Sequence, residues 1–185
     1  MDTTMHLSIA ELETGIDYIR QSPKDQGVLK MIVRRPRDDG REIVSEAELS
    51  LQEGLVGDNW KVRGSKHMPD GSANPQTQIT VINARLIELV ARSEERWSLA
   101  GDQLYVDLDL SDGNLPAGAL LAIGSAVIEV TAVPHTGCRK FSDRFGAQAL
   151  KFVNSQEGKQ LHLRGINTRV VRPGTVHVGD AVKKL

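Results

Sequence analysis

Residues 120–131 read Leu120-Leu121-Ala122-Ile123-Gly124-Ser125-Ala126-Val127-Ile128-Glu129-Val130-Thr131. Two apolar runs flank the dipeptide Gly124-Ser125. Glycine at the first position of a two-residue turn readily adopts the positive φ that such a turn requires. The stretch therefore predicts a β-hairpin with a tight turn at Gly124.

Short strands are predicted on both sides of this hairpin. They cover residues 28–34, 42–49, 78–82, 104–110, 168–171 and 178–182. Turn residues, such as Arg37-Asp38-Asp39-Gly40 and Pro173-Gly174, separate several of them. Apolar and acidic residues alternate in residues 104–110, which places Leu104, Val106, Leu108 and Leu110 inward. So many short strands indicate a mainly β (α+β) fold with a closed or nearly closed β-barrel.

A few short helices are expected outside the barrel. Ser8-Ile9-Ala10-Glu11 fits a capping box, and it predicts a helix at about residues 8–21 packed on the barrel. Asn83 is a suitable cap for a second helix at 84–92. Phe145, Ala149, Phe152 and Val153 recur at helical spacing. Without a linker or repeat, residues 1–185 are predicted to form a single domain, in which the long irregular stretch 54–77 is a candidate functional loop.

Composition limits the cell compartment and the partners. A single cysteine excludes an intramolecular disulfide, and Met1 to Ala10 lacks the features of a secretory signal, so we expect a cytoplasmic protein. No apolar stretch is long enough to predict a membrane helix. A net charge of −1 and 4% aromatic residues make nucleic acid an unsuitable partner.

The single cysteine, Cys138, lies in Val133-Pro134-His135-Thr136-Gly137-Cys138-Arg139-Lys140-Phe141. Pro134 and Gly137 predict a loop at the end of a strand, where functional residues are frequent. Arg139, Lys140 and Arg144 would stabilise a thiolate. The alternative is a buried, inert cysteine. A zinc site is disfavoured, since there is no second cysteine and no paired histidine motif.

Several stretches, taken in order, resemble the MOSC family, found at the C-terminus of molybdenum-cofactor sulfurases and as stand-alone bacterial proteins. They are Gly54-Leu55-Val56-Gly57-Asp58, Gln78-Ile79-Thr80, Leu115-Pro116-Ala117-Gly118, Cys138-Arg139-Lys140-Phe141, Leu163-Arg164-Gly165-Ile166 and Gly179-Asp180. The resemblance implies a stand-alone, bacterial-type member with a β-barrel. It also implies that Cys138 is the family cysteine, which accepts sulfur as a persulfide or, in relatives that reduce N-hydroxylated compounds, ligates molybdenum.

The resemblance also suggests a site around Cys138. Catalytic roles fall to Cys138 and to His135, which would tune the thiolate or donate a proton near pH 7, although a structural histidine is an equal alternative. The molybdenum cofactor (molybdopterin) would be bound by Asp58, Asn59, Trp60, Thr136, Gly137, Arg139, Lys140, Arg144 and Arg164. The basic members would contact the pterin phosphate, and Trp60 would offer a flat face or anchor its loop in the core.

The sequence also departs from the family pattern. Asp58-Asn59-Trp60 stands where many members have Asp-Arg-His, and Gly101-Asp102-Gln103-Leu104 stands where they have Gly-Glu-Asn-Leu. A different ligand pocket is therefore expected. Pyridoxal phosphate belongs to the fused sulfurase domain of relatives, which is too large for 185 residues, so none is expected in this chain.

Three functions remain open from the sequence. The first is a sulfur carrier or molybdenum-cofactor protein, which as an enzyme would perform sulfur transfer or molybdenum-dependent reduction. Its partners would be a cysteine desulfurase and a molybdoenzyme or redox protein. The second is a binding module with an inert, buried Cys138, and the third is a thiol redox sensor that needs an external thiol.

Overall fold

The computed structural model describes residues 6–185 of the chain. The α-helices are α1 Ile9–Thr14, α2 Ile16–Arg20, α3 Trp60–Arg63, α4 Ala84–Ala91, α5 Arg139–Phe145, α6 Ala147–Asn154 and α7 Gln156–Gln160. Short 3₁₀ helices cover Pro75–Thr77 and Glu94–Ala100. The strands are β1 Gln26–Arg34, β2 Glu42–Val44, β3 Glu46–Ser50, β4 Gly54–Leu55, β5 Ile79–Asn83, β6 Leu104–Asp107, β7 Leu120–Ile123, β8 Ala126–Val130, β9 Ile166–Arg172, β10 Gly174–His177 and β11 Ala181–Lys184.

Seven of these strands close into a barrel. The order around it is β11, β7, β8, β9, β5, β6 and β1, and the circle closes where β1 pairs antiparallel with β11, with Gly27 opposite Val182. Only β5 and β6 run parallel in this circle, and α4 lies between them in sequence, as a parallel crossover requires. The predicted mainly β barrel is therefore confirmed.

The hairpin at Gly124 is confirmed, since β7 and β8 pair from Ile123 opposite Ala126 and Gly124 has a φ of 55°. Asn83 caps α4 as predicted, because its side-chain oxygen accepts from the amides of Arg85 and Leu86. The inward placement of residues 104, 106, 108 and 110 is also confirmed, because all four belong to the barrel core.

The strand predicted at residues 42–49 is instead two strands. β2 continues the pairing with β1, whereas β3 turns away at Ser45 and joins β10 and β4 in a separate three-stranded sheet. Pro173, which has no amide hydrogen to donate, ends the pairing of β9 with β8. The next strand, β10, pairs with β3 instead. Residues 178–180, predicted as strand, form the turn that precedes β11.

Two hydrophobic cores lie on the two sides of the barrel wall. Leu104 and Val106 point into the barrel, whereas Tyr105 between them packs with the helices outside. The helix predicted at residues 8–21 divides into α1 and α2 at Gly15, where a side chain would meet the Leu89 Cδ2 atom at 2.5 Å. Leu12 and Ile19 from these helices join the outer core.

Across residues 6–185, no helix has the length and apolar character that a membrane crossing requires. The sequence interpretation that Met1 to Ala10 lacks a secretory signal falls partly outside the described residues, since residues 1–5 precede them.

Candidate functional site

Cys138 lies at the end of the loop that leaves β8 and begins α5. Cys138 is exposed, so the burial that the alternative interpretation expected is wrong. Cys138 is the N-cap residue of α5, and its carbonyl accepts hydrogen bonds from the amides of Phe141 and Ser142. The helix therefore fixes the backbone on the C-terminal side of the thiol.

Two asparagine side chains hold the loop on the N-terminal side of Cys138. Asn154, the last residue of α6, accepts from the Gly137 amide at 2.8 Å and donates to the Gly137 carbonyl at 3.1 Å. Asn167 on β9 donates to the Val133 carbonyl at 3.0 Å. Because both side chains bond backbone groups, the course of the loop depends on residues outside it.

The exposed thiol borders a cleft of about 310 Å³, which we call the basic cleft. Seven cationic side chains line it, and they are Arg35, Arg37, Arg41, Arg63, Lys140, Arg144 and Arg164. Two carboxylates, Asp38 and Asp39, also line it, and two more, Asp58 and Asp102, pair with its arginines from behind. Cations still outnumber carboxylates by three, so the cleft favours an anionic ligand.

A buried ion pair forms one wall of the basic cleft. Arg164 donates to the Asp102 carboxylate at 2.7 Å and to the Ala100 carbonyl at 3.0 Å, and its guanidinium lies 5.1 Å from the centre of the Phe141 ring. Burial raises the pKa of Asp102, and the charge of Arg164 opposes that rise. The pair lies beside the cysteine loop because Arg164 contacts Phe141, and Phe141 belongs to α5, the helix that begins directly after Cys138.

His135 packs against this pair. Its Nδ1 atom lies 3.6 Å from Asp102 Oδ1, and neither atom has a hydrogen-bond partner in the described part of the chain. Burial, followed by the charges of Arg164 and Arg35, lowers the pKa of His135 well below 6.5. The imidazole is therefore neutral at pH 7, and acid catalysis near neutral pH would require a ligand that raises its pKa.

A second buried pair orients Arg35. Asp58 Oδ2 accepts from Arg35 Nε at 2.8 Å, and Asp58 Oδ1 accepts from Arg35 Nη2 at 2.9 Å, a two-point geometry that holds the guanidinium plane. The same carboxylate accepts from the Trp60 amide at 3.0 Å and so ties the loop after β4 to β1. Asp58 therefore acts from behind the cleft, through Arg35.

Two further arginines of the cleft, Arg41 and Arg63, are close enough to other cations to be repelled by them. Burial, followed by Arg144 and Arg35, lowers the pKa of Arg41. Arg63 is exposed by accessible surface, and partial desolvation, followed by the charge of Arg35, lowers its pKa. Because these guanidinium groups stay charged at neutral pH, their mutual repulsion would be relieved by a bound anion.

The structure brings together six of the residues proposed from the sequence. Those that line the basic cleft are Asn59, His135, Cys138, Lys140, Arg144 and Arg164. Trp60 is buried and does not line the cleft, so it anchors its loop as the alternative interpretation predicted. The Arg139 side chain is 94% exposed, lies outside the cleft and is 3.9 Å from Asp143.

The other two predicted residues lie at the edge of the site. Gly137 packs against α6, where a side chain would meet Leu150 Cδ1 at 2.7 Å. Thr136 lines a second, mainly apolar cleft of about 560 Å³ on the other side of the loop. His135, Arg164 and Asn167 border both clefts.

Sequence reasoning missed Arg35, Arg37, Arg41 and Arg63, which supply most of the positive charge. Arg37 and Arg41 flank the turn between β1 and β2, and Arg63 lies on α3 in the long irregular stretch. For Arg63 that unusually long stretch was the available signal, whereas Arg35, Arg37 and Arg41 lie outside it. Among residues 6–185, no group of three or more His, Cys, Asp or Glu side chains is placed to hold a metal ion.

Solved structures of low sequence identity share this fold. The YuaD protein from Bacillus subtilis is 14% identical with a TM-score of 0.64, over 86% of this chain and 95% of that one. YiiM from Escherichia coli is 18% identical with a TM-score of 0.54, over 85% and 69% of the two chains. YiiM from Geobacillus stearothermophilus is 16% identical with a TM-score of 0.51, over 86% and 73%.

No curated protein sequence matches the chain. The family model of the MOSC domain matches residues 71–183, which is more than half of the chain and includes Cys138, His135 and Arg164. The chain therefore belongs to the MOSC domain family.

Proposed function

We propose that this chain is a sulfur carrier or a molybdenum-cofactor protein in which Cys138 is the reactive residue. The observation that carries the proposal is that an exposed thiol borders a cleft with a surplus of arginine and lysine side chains. A thiolate is the sulfur nucleophile and is also a soft ligand suited to a soft metal centre. The surplus positive charge suits an anionic group beside that sulfur.

The donor set fits the molybdenum cofactor of the family. Arg35 and Arg164 are already neutralised by Asp58 and Asp102, so the surplus charge lies on the other cations of the cleft. We propose that Arg63 and Lys140 contact the pterin phosphate, since within residues 6–185 Arg63 makes no ion pair and Lys140 pairs with the exposed Asp39 alone. Asn59 Oδ1, which is buried and has no hydrogen-bond partner among the residues that the structure describes, would accept from the pterin. When bound, the cofactor would supply oxygen-transfer redox chemistry at molybdenum, with Cys138 as its protein ligand.

As a sulfur carrier, Cys138 would act by thiolate exchange. Its thiolate would attack the terminal sulfur of a persulfide on a cysteine desulfurase. A sulfur–sulfur bond forms to Cys138, the sulfur–sulfur bond of the donor breaks, and the donor cysteine leaves as a thiolate. The exchange needs no external oxidant, and the exposure of Cys138 gives the donor access to it.

One experiment tests both forms of the proposal. The protein is incubated with a cysteine desulfurase and cysteine and is analysed by intact mass, and protein expressed with molybdate is analysed for metal. We expect one added sulfur atom, bound molybdenum, or both in the wild type, and neither in Cys138→Ala. A wild type that gains neither would contradict the proposal.

The role of the cleft cations in molybdenum binding is tested by variants, with Arg139 beside the cysteine as the control position. We expect the double variant Arg63→Gln and Lys140→Gln to retain less molybdenum than the wild type. Arg139→Gln removes a neighbouring positive charge that lies outside the cleft, so it should retain the wild-type amount. Equal losses in both variants would show that net charge, and not the cleft, governs retention.

A thiol redox sensor is a second candidate, favoured by the exposure of Cys138. Peroxide would oxidise Cys138 to a sulfenic acid and be reduced to water. An external thiol would then condense with the sulfenic acid to a mixed disulfide and water, and a second external thiol would release Cys138 by thiol–disulfide exchange. Dimedone labelling after micromolar peroxide tests this. Labelling that requires millimolar peroxide would argue against a sensor.

A further inference from the structure

The loop before Cys138 is held by a side chain that the proposed chemistry does not use. Asn154 accepts from the Gly137 amide at 2.8 Å and donates to the Gly137 carbonyl at 3.1 Å. One side chain therefore fixes the peptide planes on both sides of Gly137. The second of these planes includes the amide nitrogen of Cys138, so its orientation restricts the backbone of the cysteine.

The two bonds depend on a close approach between the loop and α6. A side chain at residue 137 would meet Leu150 Cδ1 at 2.7 Å and Val153 Cγ2 at 3.0 Å, both on α6. Glycine thus lets the backbone lie within hydrogen-bond distance of Asn154. Phe152 and Val153 in turn fix α6 in the outer core, so the anchor of the loop is itself rigid.

Cys138 is also fixed on its other side. Its carbonyl accepts from the amides of Phe141 and Ser142 in α5, and α5 is held by Phe141 and Phe145 in the same core as α6. The cysteine backbone is therefore anchored to α6 through Asn154 and to α5 through its own carbonyl. The exposed side chain takes its position from these two anchors.

We propose that Asn154 is a positioning residue that holds Cys138 at the basic cleft. The inference rests on the proposed function, because the cleft and the thiol serve one reaction only if they stay together. Without the two bonds to Gly137, the loop would relax away from α6 and move the thiol relative to the cations. Asn154 does not touch the ligand itself, and it acts only through the Gly137 backbone.

Two alkylating reagents of different charge measure this position. Iodoacetate is an anion and iodoacetamide is neutral, and both attack the same thiolate. The ratio of their rate constants therefore cancels the thiolate fraction and reports the electrostatic potential at the sulfur. Positive charge near the thiol favours the anionic reagent at low ionic strength.

Asn154→Leu keeps the branching at Cγ, with a larger side chain, and removes both hydrogen bonds. We expect it to lower the iodoacetate to iodoacetamide ratio about threefold, which is the effect of moving the thiol by a few ångströms from several cations. The matched control is Asn114→Ala. Its side chain likewise makes two hydrogen bonds to backbone groups, here the carbonyls of Lys24 and Asp109, and its oxygen accepts from Lys184 Nζ, but it lies outside the basic cleft.

A lower ratio in Asn154→Leu with an unchanged ratio in Asn114→Ala supports the proposal. An unchanged ratio in Asn154→Leu overturns it, and so do equal losses in both variants, since these would reflect general loosening. If Asn154→Leu does not fold, hydrogen exchange of the wild-type Gly137 amide decides. Protection supports the bond to Asn154, and exchange at the rate of an open loop overturns it.

The outcome is separable from that of the proposed function. The alkylation ratio depends only on where the thiol lies, whereas sulfur and molybdenum content depend on what the site binds. If the alkylation ratio falls in Asn154→Leu as expected but the wild type gains no sulfur or molybdenum, Asn154 remains the anchor and the proposed function is contradicted. If the wild type binds molybdenum but the ratio does not change in Asn154→Leu, the proposed function is supported and the role of Asn154 is contradicted.

Discussion

The carboxylate of Asp102 is completely buried and lies 2.7 Å from the guanidinium of Arg164, and the same carboxylate faces His135 at 3.6 Å. These residues come from the segment before β6, from the segment before β9 and from the cysteine loop. The ion pair therefore joins the wall of the basic cleft to the barrel.

We expect Asp102→Leu to destabilise the fold by about 3–5 kcal/mol, because it leaves Arg164 buried without a counter-charge. Urea denaturation measures this change. The double variant Asp102→Leu and Arg164→Met should recover part of the loss, since it removes the unpaired charge. Arg139→Ala breaks an exposed pair and should cost less than about 0.5 kcal/mol. A loss below about 1 kcal/mol in Asp102→Leu would contradict the role of the pair.

His135 should make the stability of the protein depend on pH. Its pKa in the folded state is lowered well below 6.5, so below pH 6.5 the unfolded chain binds a proton that the folded protein does not. The stabilising effect of the neutral ring is therefore complete above pH 6.5 and is lost as the pH falls. We expect up to about 2 kcal/mol of this loss by pH 5.

The comparison with His135→Gln isolates this effect. The free energy of unfolding of the variant, measured by urea denaturation from pH 7.5 to pH 5, should fall less steeply than that of the wild type. His67→Gln replaces an exposed histidine and should leave the wild-type slope. Parallel slopes for His135→Gln and the wild type would refute a buried neutral ring.

Arg63 should contribute to anion binding and not to stability. Among the described residues its side chain makes no ion pair, and desolvation and the charge of Arg35 lower its pKa, so its removal relieves repulsion. We expect Arg63→Gln to change the free energy of unfolding by less than about 0.5 kcal/mol. The affinity of the variant for inorganic phosphate, measured by calorimetry, should be about fivefold lower than that of the wild type, equivalent to about 1 kcal/mol. An unchanged affinity, or an equal fall in Arg139→Gln, would count against the cleft as the anion site.

Gly165 should tolerate no side chain, because it has a φ of 103° and a Cβ atom there would collide with the Val81 carbonyl. We expect Gly165→Ala to cost more than about 3 kcal/mol, since backbone strain and a main-chain collision add. Gly179 has a similar φ of 96° but open space around it, so Gly179→Ala should cost only about 1–2 kcal/mol. Thermal denaturation compares the two variants, and equal losses would mean that the collision is relieved elsewhere.

The sequence predicts those features that depend on neighbouring residues. The Gly124 turn and the Asn83 cap are local, because the residues that determine them lie within a few positions of one another. The position of Cys138 on a loop at a strand end was also predictable, since Pro134 and Gly137 mark that loop. The division of residues 42–49 at Ser45 was not predictable, because it depends on β10, a strand distant in sequence.

The arginines of the cleft are the clearest case of what the sequence alone does not reveal. Arg35, Arg41 and Arg63 are separated by turns and loops, and each alone is typical of a solvated surface charge. They become a site only because the turn after β1 and helix α3 fold toward the cysteine loop. Arg139, by contrast, adjoins Cys138 in sequence but extends away from the cleft.

The pairing of β1 with β11 closes the barrel with strands from opposite ends of the sequence. During synthesis on the ribosome, this pairing must wait until β11 has emerged. Until then β7 lacks a neighbour along one edge, and β1 lacks one along Gln26–Val28, since β2 covers only its Ile32–Arg34 end. Such edges are open to association with other strands. Contacts between distant segments also slow folding. The emerging chain therefore has a period of exposure in which a chaperone could act.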